Sequence, residues 1–361
     1  MSNTGDTRLV MLETVRDHAG GLFDDATTRQ AAQLRHREHF VALAETVVLK
    51  GEGQSEGLAT IDADIDNLRL AMDRATVAGD DVSALRMATA LYRYWYLRGL
   101  FREGCDRITL PLERGAGAGP LRALALRALA GLRFLLGDLD EAAGLATAGI
   151  EAGLAVGDNA SIVACHTVLG LIAKERGAYA EAGEHFRSSE IVAQRHGLAE
   201  DVVVANTNLG ELAFATGDLA QARRRWETTL VTQGGPEANL TFALLGLGAL
   251  AVQEGLLDEG ERHLIRARDL ARQAGFTHNT AMALVALAGI ASERGDDERA
   301  AIVIGEAHEL LAATGGKLTT EDAAVLERAA AATRDHLGIE RFNQLAERSG
   351  PRSTAAQPHR T

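Results

Sequence analysis

Six glycines recur along this chain at an almost constant spacing. The steps between them are 38, 40, 40, 38 and 40 residues, and the glycines are Gly99, Gly137, Gly177, Gly217, Gly255 and Gly295. A repeat of this length is typical of a solenoid, in which each unit buries its apolar face against its neighbours. The spacing therefore predicts a stack of similar units. Such a stack has a groove, but the spacing does not indicate which ligand or partner binds there.

The residues around each glycine repeat as well. A leucine stands eight residues before all six glycines. The residue seven before is small in five of the six units, the residue five after is small in all six, and the residue nine after is mostly large and apolar. Glycine ends a helix in the left-handed conformation, and small residues let two antiparallel helices approach closely. We expect helix pairs at 81–98/101–114, 120–136/139–155, 159–176/179–196, 200–216/219–232, 237–254/257–274 and 278–294/297–313.

Two segments carry a family resemblance most clearly. LGLIAKERGAYAEAGEHF (169–186) and LGELAFATGDLAQARRRW (209–226) resemble the tetratricopeptide repeat, whose common form has about 34 residues. The resemblance covers residues 85–313 and implies an all-α fold, a tetratricopeptide-like right-handed superhelix of antiparallel helix pairs. We expect a helical lead-in at 1–80 that includes a remnant of a winged-helix junction, six repeats at 81–313, capping helices at 314–349 and a disordered tail at 350–361.

The N-terminal segments carry a second resemblance. MLETVRDHA (11–19) and DNLRLAM (66–72) resemble the stretch that joins the ATPase to the repeats in large actinobacterial signal-transduction ATPase regulators of the LuxR-type and maltose-regulator class. No GxxxxGK[ST] phosphate loop occurs, and no recognisable helix-turn-helix follows residue 313. The resemblance therefore implies the sensor and partner-binding portion alone, either as a piece of a larger regulator or as a naturally short relative.

Composition narrows the partners and the compartment. A net charge of −13 argues against a nucleic-acid surface, which needs clustered Lys and Arg. The two cysteines, Cys105 and Cys165, lie in apolar helical contexts that suit buried thiols in a reducing compartment. No apolar run approaches the roughly 20 residues of a membrane span. We expect a soluble cytoplasmic protein with no direct nucleic-acid binding, no membrane contact, no metal and no cofactor.

The concave groove is the candidate binding site. In tetratricopeptide proteins the first helix of each pair lines this face, so the resemblance implies a set of groove positions. Arginine offers a fork for carboxylate or phosphate, and the N-terminal half of the set is basic and aromatic, whereas the C-terminal half is more apolar. The candidate ligand-binding residues are Arg86, Arg93, Tyr96, Arg127, Phe134, Lys174, Thr207, Glu211, Phe214, Phe242 and Met282.

These positions leave two interpretations open. In the first, the groove binds an acidic peptide segment or an anionic small molecule. In the second, the arginines pair with acids across repeats or face water. The aromatic run LYRYWYLRG (91–99) also has two interpretations. Its side chains either fill the core between the lead-in and the first repeat or form an exposed docking patch.

Three functions fit the pattern. The first is a non-catalytic sensor module of a transcriptional regulator that binds a protein, a peptide or a small-molecule inducer. The second is a freestanding adaptor in a biosynthetic pathway. The third is an enzyme that uses the groove as its active site, although no catalytic constellation supports it and fold alone does not forbid it. The oligomeric state stays open.

Overall fold

The structure is a computed structural model that describes residues 25–50, 53–232 and 237–349. Every regular element in these ranges is helical, with seventeen α-helices and a final 3-10 turn at Glu347–Ser349. No helix in the same ranges is both long and apolar enough to cross a membrane. The segment 11–19 and the tail at 350–361 lie outside the described residues.

The helices follow the order that the repeat predicts. The lead-in consists of α1 (Ala26–Thr46) and α2 (Gln54–Val77). The first pair consists of three helices, because its first helix is divided into α3 (Asp81–Ala90) and α4 (Tyr92–Arg98), which are followed by α5 (Phe101–Glu113). The other five pairs are α6 (Pro120–Leu136) with α7 (Leu139–Val156), α8 (Asn159–Glu175) with α9 (Tyr179–Arg195), α10 (Ala199–Ala215) with α11 (Leu219–Val231), α12 (Glu237–Gln253) with α13 (Leu257–Ala274) and α14 (Thr277–Glu293) with α15 (Asp297–Thr314). The chain ends with α16 (Thr320–Leu337) and α17 (Ile339–Ala346).

The first repeat differs from its prediction. The expected helix at 81–98 is interrupted at Leu91, which separates α3 from α4. The indole Nε1 of Trp95 donates a hydrogen bond of 3.3 Å to the carbonyl oxygen of Ala88, inside the last turns of α3. A side chain that enters the helical hydrogen-bond ladder bends the helix. Trp95 is 0% exposed and Tyr94 is buried beside it, so these two aromatic side chains lie in the core.

Glycine follows the first helix of each pair, directly or after one further residue, in the conformation that the repeat predicts. The six turn glycines all have positive φ, between 71° and 85°. A residue with a side chain rarely adopts this conformation, so glycine is the natural choice at each turn.

In the third and fourth repeats, the small residue seven before the turn glycine packs against an aromatic ring from the second helix of the same pair. A Cβ at Gly170 would lie 2.5 Å from Cε1 of Phe186, and a Cβ at Gly210 would lie 2.7 Å from Nε1 of Trp226. Both rings are fully buried. The position seven before the turn glycine and the position nine after it are therefore the two halves of one contact.

The superhelix curls until its ends touch. Arg98 Nη1 donates hydrogen bonds of 2.9 and 3.2 Å to the carbonyl oxygens of Ala274 and Gly275. The ring of His278 meets the ring of Phe101 edge-on, with 5.6 Å between centroids. These contacts join the first pair to the start of α14, some 176 residues further along the chain. We call them the clasp.

The segment after α15 extends the clasp. The amide of Lys317 donates a hydrogen bond of 2.8 Å to the carbonyl oxygen of Leu135, at the end of α6. The amide of Thr320 then donates to Oε2 of Glu175, at the end of α8, over 3.3 Å. Residues 315–320 therefore run across the turn edge of the first three pairs.

Candidate functional site

Arg86 and Arg93 hold the lead-in against the first pair. The Arg86 guanidinium on α3 makes a two-pronged ion pair with Glu45 on α1, with Nε–Oε1 and Nη2–Oε2 distances of 2.7 and 2.6 Å. Arg93 Nε donates to the carbonyl oxygen of Leu49 over 2.8 Å, and its Nη2 donates to Oε1 of Gln54 over 3.2 Å. Both guanidinium groups are thus partly occupied, by the lead-in rather than by adjacent repeats.

Arg127 differs from these two arginines. It lies on α6, is half-buried, and has no hydrogen-bond or ion-pair partner within the described residues. Its side chain borders a cleft of about 270 Å³ between α1, the first pair and α6. The charged side chains that line this cleft are Glu45, Lys50, Arg86, Arg93 and Arg127.

The middle of the predicted groove is occupied by an internal ion pair. Lys174 Nζ on α8 donates to Oε2 of Glu211 on α10 over 2.8 Å. Burial disfavours the ammonium, but Glu211 outweighs burial and holds the pKa of Lys174 above its usual range. The acidic start of α16 lies close to this pair, and burial raises the pKa of the Asp322 carboxyl there.

Three further candidates make intramolecular contacts. Thr207 is buried, donates to the carbonyl oxygen of Val203 over 3.0 Å and lies 3.2 Å from the hydroxyl of Thr229. Phe214 is half-buried against Trp226, with 5.8 Å between ring centroids. Tyr96 is half-buried, and burial raises the pKa of its phenol.

The remaining candidates are half-buried apolar side chains. Phe134 packs against the core of the second and third pairs. Phe242 on α12 and Met282 on α14 are also half-buried. The structure thus brings the basic candidates of the first two pairs to one cleft and distributes the others along the superhelix. The whole set stays a prediction of ligand-binding residues.

Sequence reasoning missed two residues of the cleft. Lys50 reaches across the superhelix to Asp201 Oδ1 and Glu200 Oε2, over 3.2 and 3.3 Å. Tyr92 occupies the position that is small in the other five repeats, and its hydroxyl rests over Gly131 of α6. The size of Tyr92 at a small-residue position was the available signal. No comparable signal marks Lys50, since its partner Asp201 lies 151 residues further along the chain.

No group of three or more metal-binding side chains comes together in the part of the chain that the structure describes. Two histidines do meet between α8 and α9, where Nδ1 of His166 lies 3.1 Å from Nδ1 of His185. Burial and the neighbouring imidazole lower the pKa of His166, so the pair favours a neutral imidazole at this position.

Comparison with known proteins shows the fold and a regulator-like relative. No protein-family model matches the chain. Proteins of Mycobacterium tuberculosis and Mycobacterium bovis named "Putative HTH-type transcriptional regulator" are 33% identical over 110 residues, which is 30% of this chain and 12% of theirs. The chain thus spans only a small part of the relatives that it matches.

Solved structures match over most of the chain. A Rap protein in complex with competence and sporulation factor covers 93% of this chain and 89% of its own, at 14% identity and a TM-score of 0.60. NprR in complex with its cognate peptide NprX has the same coverage and identity and a TM-score of 0.58. The Rap conjugation gene regulator of plasmid pLS20 with the Phr* peptide covers 89% of this chain and 98% of its own, at 13% identity and a TM-score of 0.53. These likenesses confirm the all-α, tetratricopeptide-like superhelical fold.

Proposed function

We propose that this chain is a non-catalytic sensor and binding module of a transcriptional regulator. In this proposal a protein or peptide segment, or a small anionic inducer, binds the concave surface. The observation that carries it is the match of 93% of the chain to NprR in complex with its cognate peptide, and of 89% to the Rap conjugation gene regulator in complex with the Phr* peptide. The relatives named as putative HTH-type transcriptional regulators also support a role in transcriptional regulation.

The proposal extends to the setting of the module. We place it in the class of large actinobacterial signal-transduction ATPase regulators, on the resemblance of 11–19 and 66–72. The module would then act in the cytoplasm and leave DNA binding to another part of the regulator. The acidic charge of the chain supports this division of labour.

Selection from a random peptide library tests the proposal. The full chain is immobilised, bound peptides are enriched, and their affinities are measured by fluorescence polarisation. We expect enriched peptides whose binding falls at least tenfold in a Phe242→Asp/Met282→Asp variant, because both side chains are predicted to line the groove. Val77→Asp is the control, since Val77 is 90% exposed on the lead-in.

Two results would contradict peptide binding in the groove. One is the absence of any peptide enriched above an empty matrix. The other is peptide binding that survives the double substitution while circular dichroism shows an intact helical fold. Loss of binding in the Val77 control would also contradict it, because the binding surface would then lie on the lead-in.

A further inference from the structure

The cleft beside Arg127 has an excess of positive charge on an acidic protein. Four cations and one carboxylate line it, although the whole chain carries −13. Three of the cations already have partners, since Lys50 contacts Glu200 and Asp201, Arg86 contacts Glu45, and Arg93 contacts backbone and amide oxygens. Counting partners over the described ranges, Arg127 is therefore the cation of the cleft that makes no hydrogen bond or ion pair.

A second unused donor lies next to Arg127. The Tyr92 hydroxyl makes no hydrogen bond within the described residues, and it would lie 2.7 Å from a Cβ placed on Gly131. Residues 127 and 131 are one helical turn apart, so Arg127 and Gly131 share a face of α6. Burial raises the pKa of the Tyr92 phenol, and the charges of Arg93 and Arg127 offset this only in part. The phenol therefore remains a donor at neutral pH.

The rest of the lining is apolar. Leu49, Leu121 and Leu124 form walls of the cleft. A volume of about 270 Å³ lies just below the usual range for drug-sized ligands, so it suits one compact group. A guanidinium beside a phenol offers the charge-assisted hydrogen bonds that a carboxylate accepts, and the leucines suit an aliphatic or aromatic body.

We propose that this cleft is a carboxylate-binding subsite in which Arg127 and Tyr92 hold the anion and the leucine walls hold an apolar body. It deepens the proposed binding function and rests on it. Two sources present the same chemistry, a free small carboxylic acid and the C-terminal carboxylate of a peptide whose last residue is apolar. Gly131 is part of the subsite, because any side chain there would displace the Tyr92 hydroxyl.

Isothermal titration calorimetry on the full chain tests the subsite with defined probes. The small probes are 3-phenylpropionate and hexanoate, each compared with its uncharged amide. The peptide probes are Gly-Gly-Leu and Gly-Gly-Phe, each with a free or an amidated C-terminus. We expect the carboxylates to bind and the amides to bind at least tenfold more weakly.

Three variants locate the binding. Arg127→Gln removes the charge and is expected to weaken carboxylate binding by about 10-fold to 100-fold, the range for a hydrogen bond to a charged group. Tyr92→Phe keeps the ring and is expected to weaken it by about 3-fold to 10-fold. Arg122→Gln is the matched control, because Arg122 is an exposed arginine on the same helix. It is expected to bind as the wild type does.

The probes separate the two sources. Tighter binding of the free-terminus peptides than of the small acids identifies a peptide C-terminus, and equal or tighter binding of the small acids identifies a free acid. Wild type that binds none of the carboxylates overturns the subsite, as does Arg127→Gln that binds them unchanged. If library-selected peptides still bind the groove in that case, the subsite fails and the proposed function stands. If neither class binds, both fail.

Discussion

At the residue scale, the third and fourth repeats each depend on a glycine against which a buried aromatic ring packs. Gly170 faces Phe186 with no room for a side chain, whereas a Cβ at Gly144 on α7 would meet no atom of the described residues within 4 Å. Gly170→Ala is expected to destabilise the protein by about 1–3 kcal/mol, because the buried ring must shift. Gly144→Ala is expected to stabilise it by about 0.5–1 kcal/mol, because alanine favours the helix. Urea denaturation measures the change in the free energy of unfolding of each variant. We expect the two changes to have opposite signs, and changes of the same sign would contradict this account.

His278 belongs to the same scale and gives the protein a pH dependence. Burial lowers the pKa of His278 to about 4 from 6.5, and no described residue forms a hydrogen bond with its Nδ1. The folded state keeps the ring neutral while the unfolded chain takes up a proton below about pH 6.5. Stability is therefore full above pH 6.5 and falls as the pH drops towards 4, with about 2 kcal/mol lost by pH 5.

The measurement is the free energy of unfolding at pH 7 and pH 5. His278→Gln is expected to lose about 2 kcal/mol less than the wild type over this interval, because the substituted residue does not titrate. Half-buried histidines elsewhere contribute to both proteins, so the difference is the relevant quantity. His336→Gln is the control at an exposed position. An equal pH slope for His278→Gln and wild type would show that His278 is not buried in solution.

At the scale of elements, the Lys174–Glu211 pair joins the first helices of the third and fourth repeats. The side chains are 13% and 26% exposed, so the pair is largely shielded from water. Lys174→Met is expected to cost about 1–3 kcal/mol, because it leaves Glu211 near the acidic start of α16 without a counter-charge. Adding Glu211→Gln is expected to recover part of this loss, since it removes the orphaned charge.

The measurement is a double-mutant cycle, in which chemical denaturation gives the free energy of unfolding of Lys174→Met, Glu211→Gln and the double variant. Arg176→Met is the matched control, because Arg176 follows the same helix and pairs with the fully exposed Asp140. Its expected cost is below about 1 kcal/mol. If Lys174→Met costs no more than Arg176→Met, the pair contributes nothing beyond an ordinary surface ion pair.

At the scale of the whole molecule, the clasp closes the superhelix. Arg98 is central to it, since its guanidinium contacts Asp62 as well as two carbonyl oxygens before α14. Arg98→Ala is expected to speed hydrogen exchange of the Lys317 amide by about 10-fold to 100-fold. The reason is that the substitution removes the hydrogen bonds from Arg98 to Ala274 and Gly275, which hold the first pair against the start of α14. Hydrogen-exchange mass spectrometry of the segment 315–320 measures this. Arg114→Ala is the control, and unchanged exchange in Arg98→Ala would mean that the clasp is not coupled to this segment.

Part of this architecture was readable from particular residues. The spacing of the turn glycines, Gly177 among them, predicted where the first helix of each pair ends, because a helix end is decided by residues within one unit of about 40 residues. The packing of Phe186 on Gly170 of its own pair was not predicted. The interruption of the helix at Leu91 was not predicted, since it accompanies a tertiary contact in which the Trp95 indole donates to the carbonyl oxygen of Ala88. The same holds for the cleft, where Glu45 comes 41 residues before its partner Arg86.

Local periodicity determined the helices and their pairing, because a hairpin is decided by residues that are near one another in the chain. Tertiary structure decided how far the superhelix curls, since curvature accumulates from small rotations between neighbouring pairs that no single repeat displays. That curvature brings Arg98 to Gly275 and Lys50 to Asp201. The curvature therefore decides which cations of the groove pair with groups of the protein itself. It also decides that Arg127 borders a cleft.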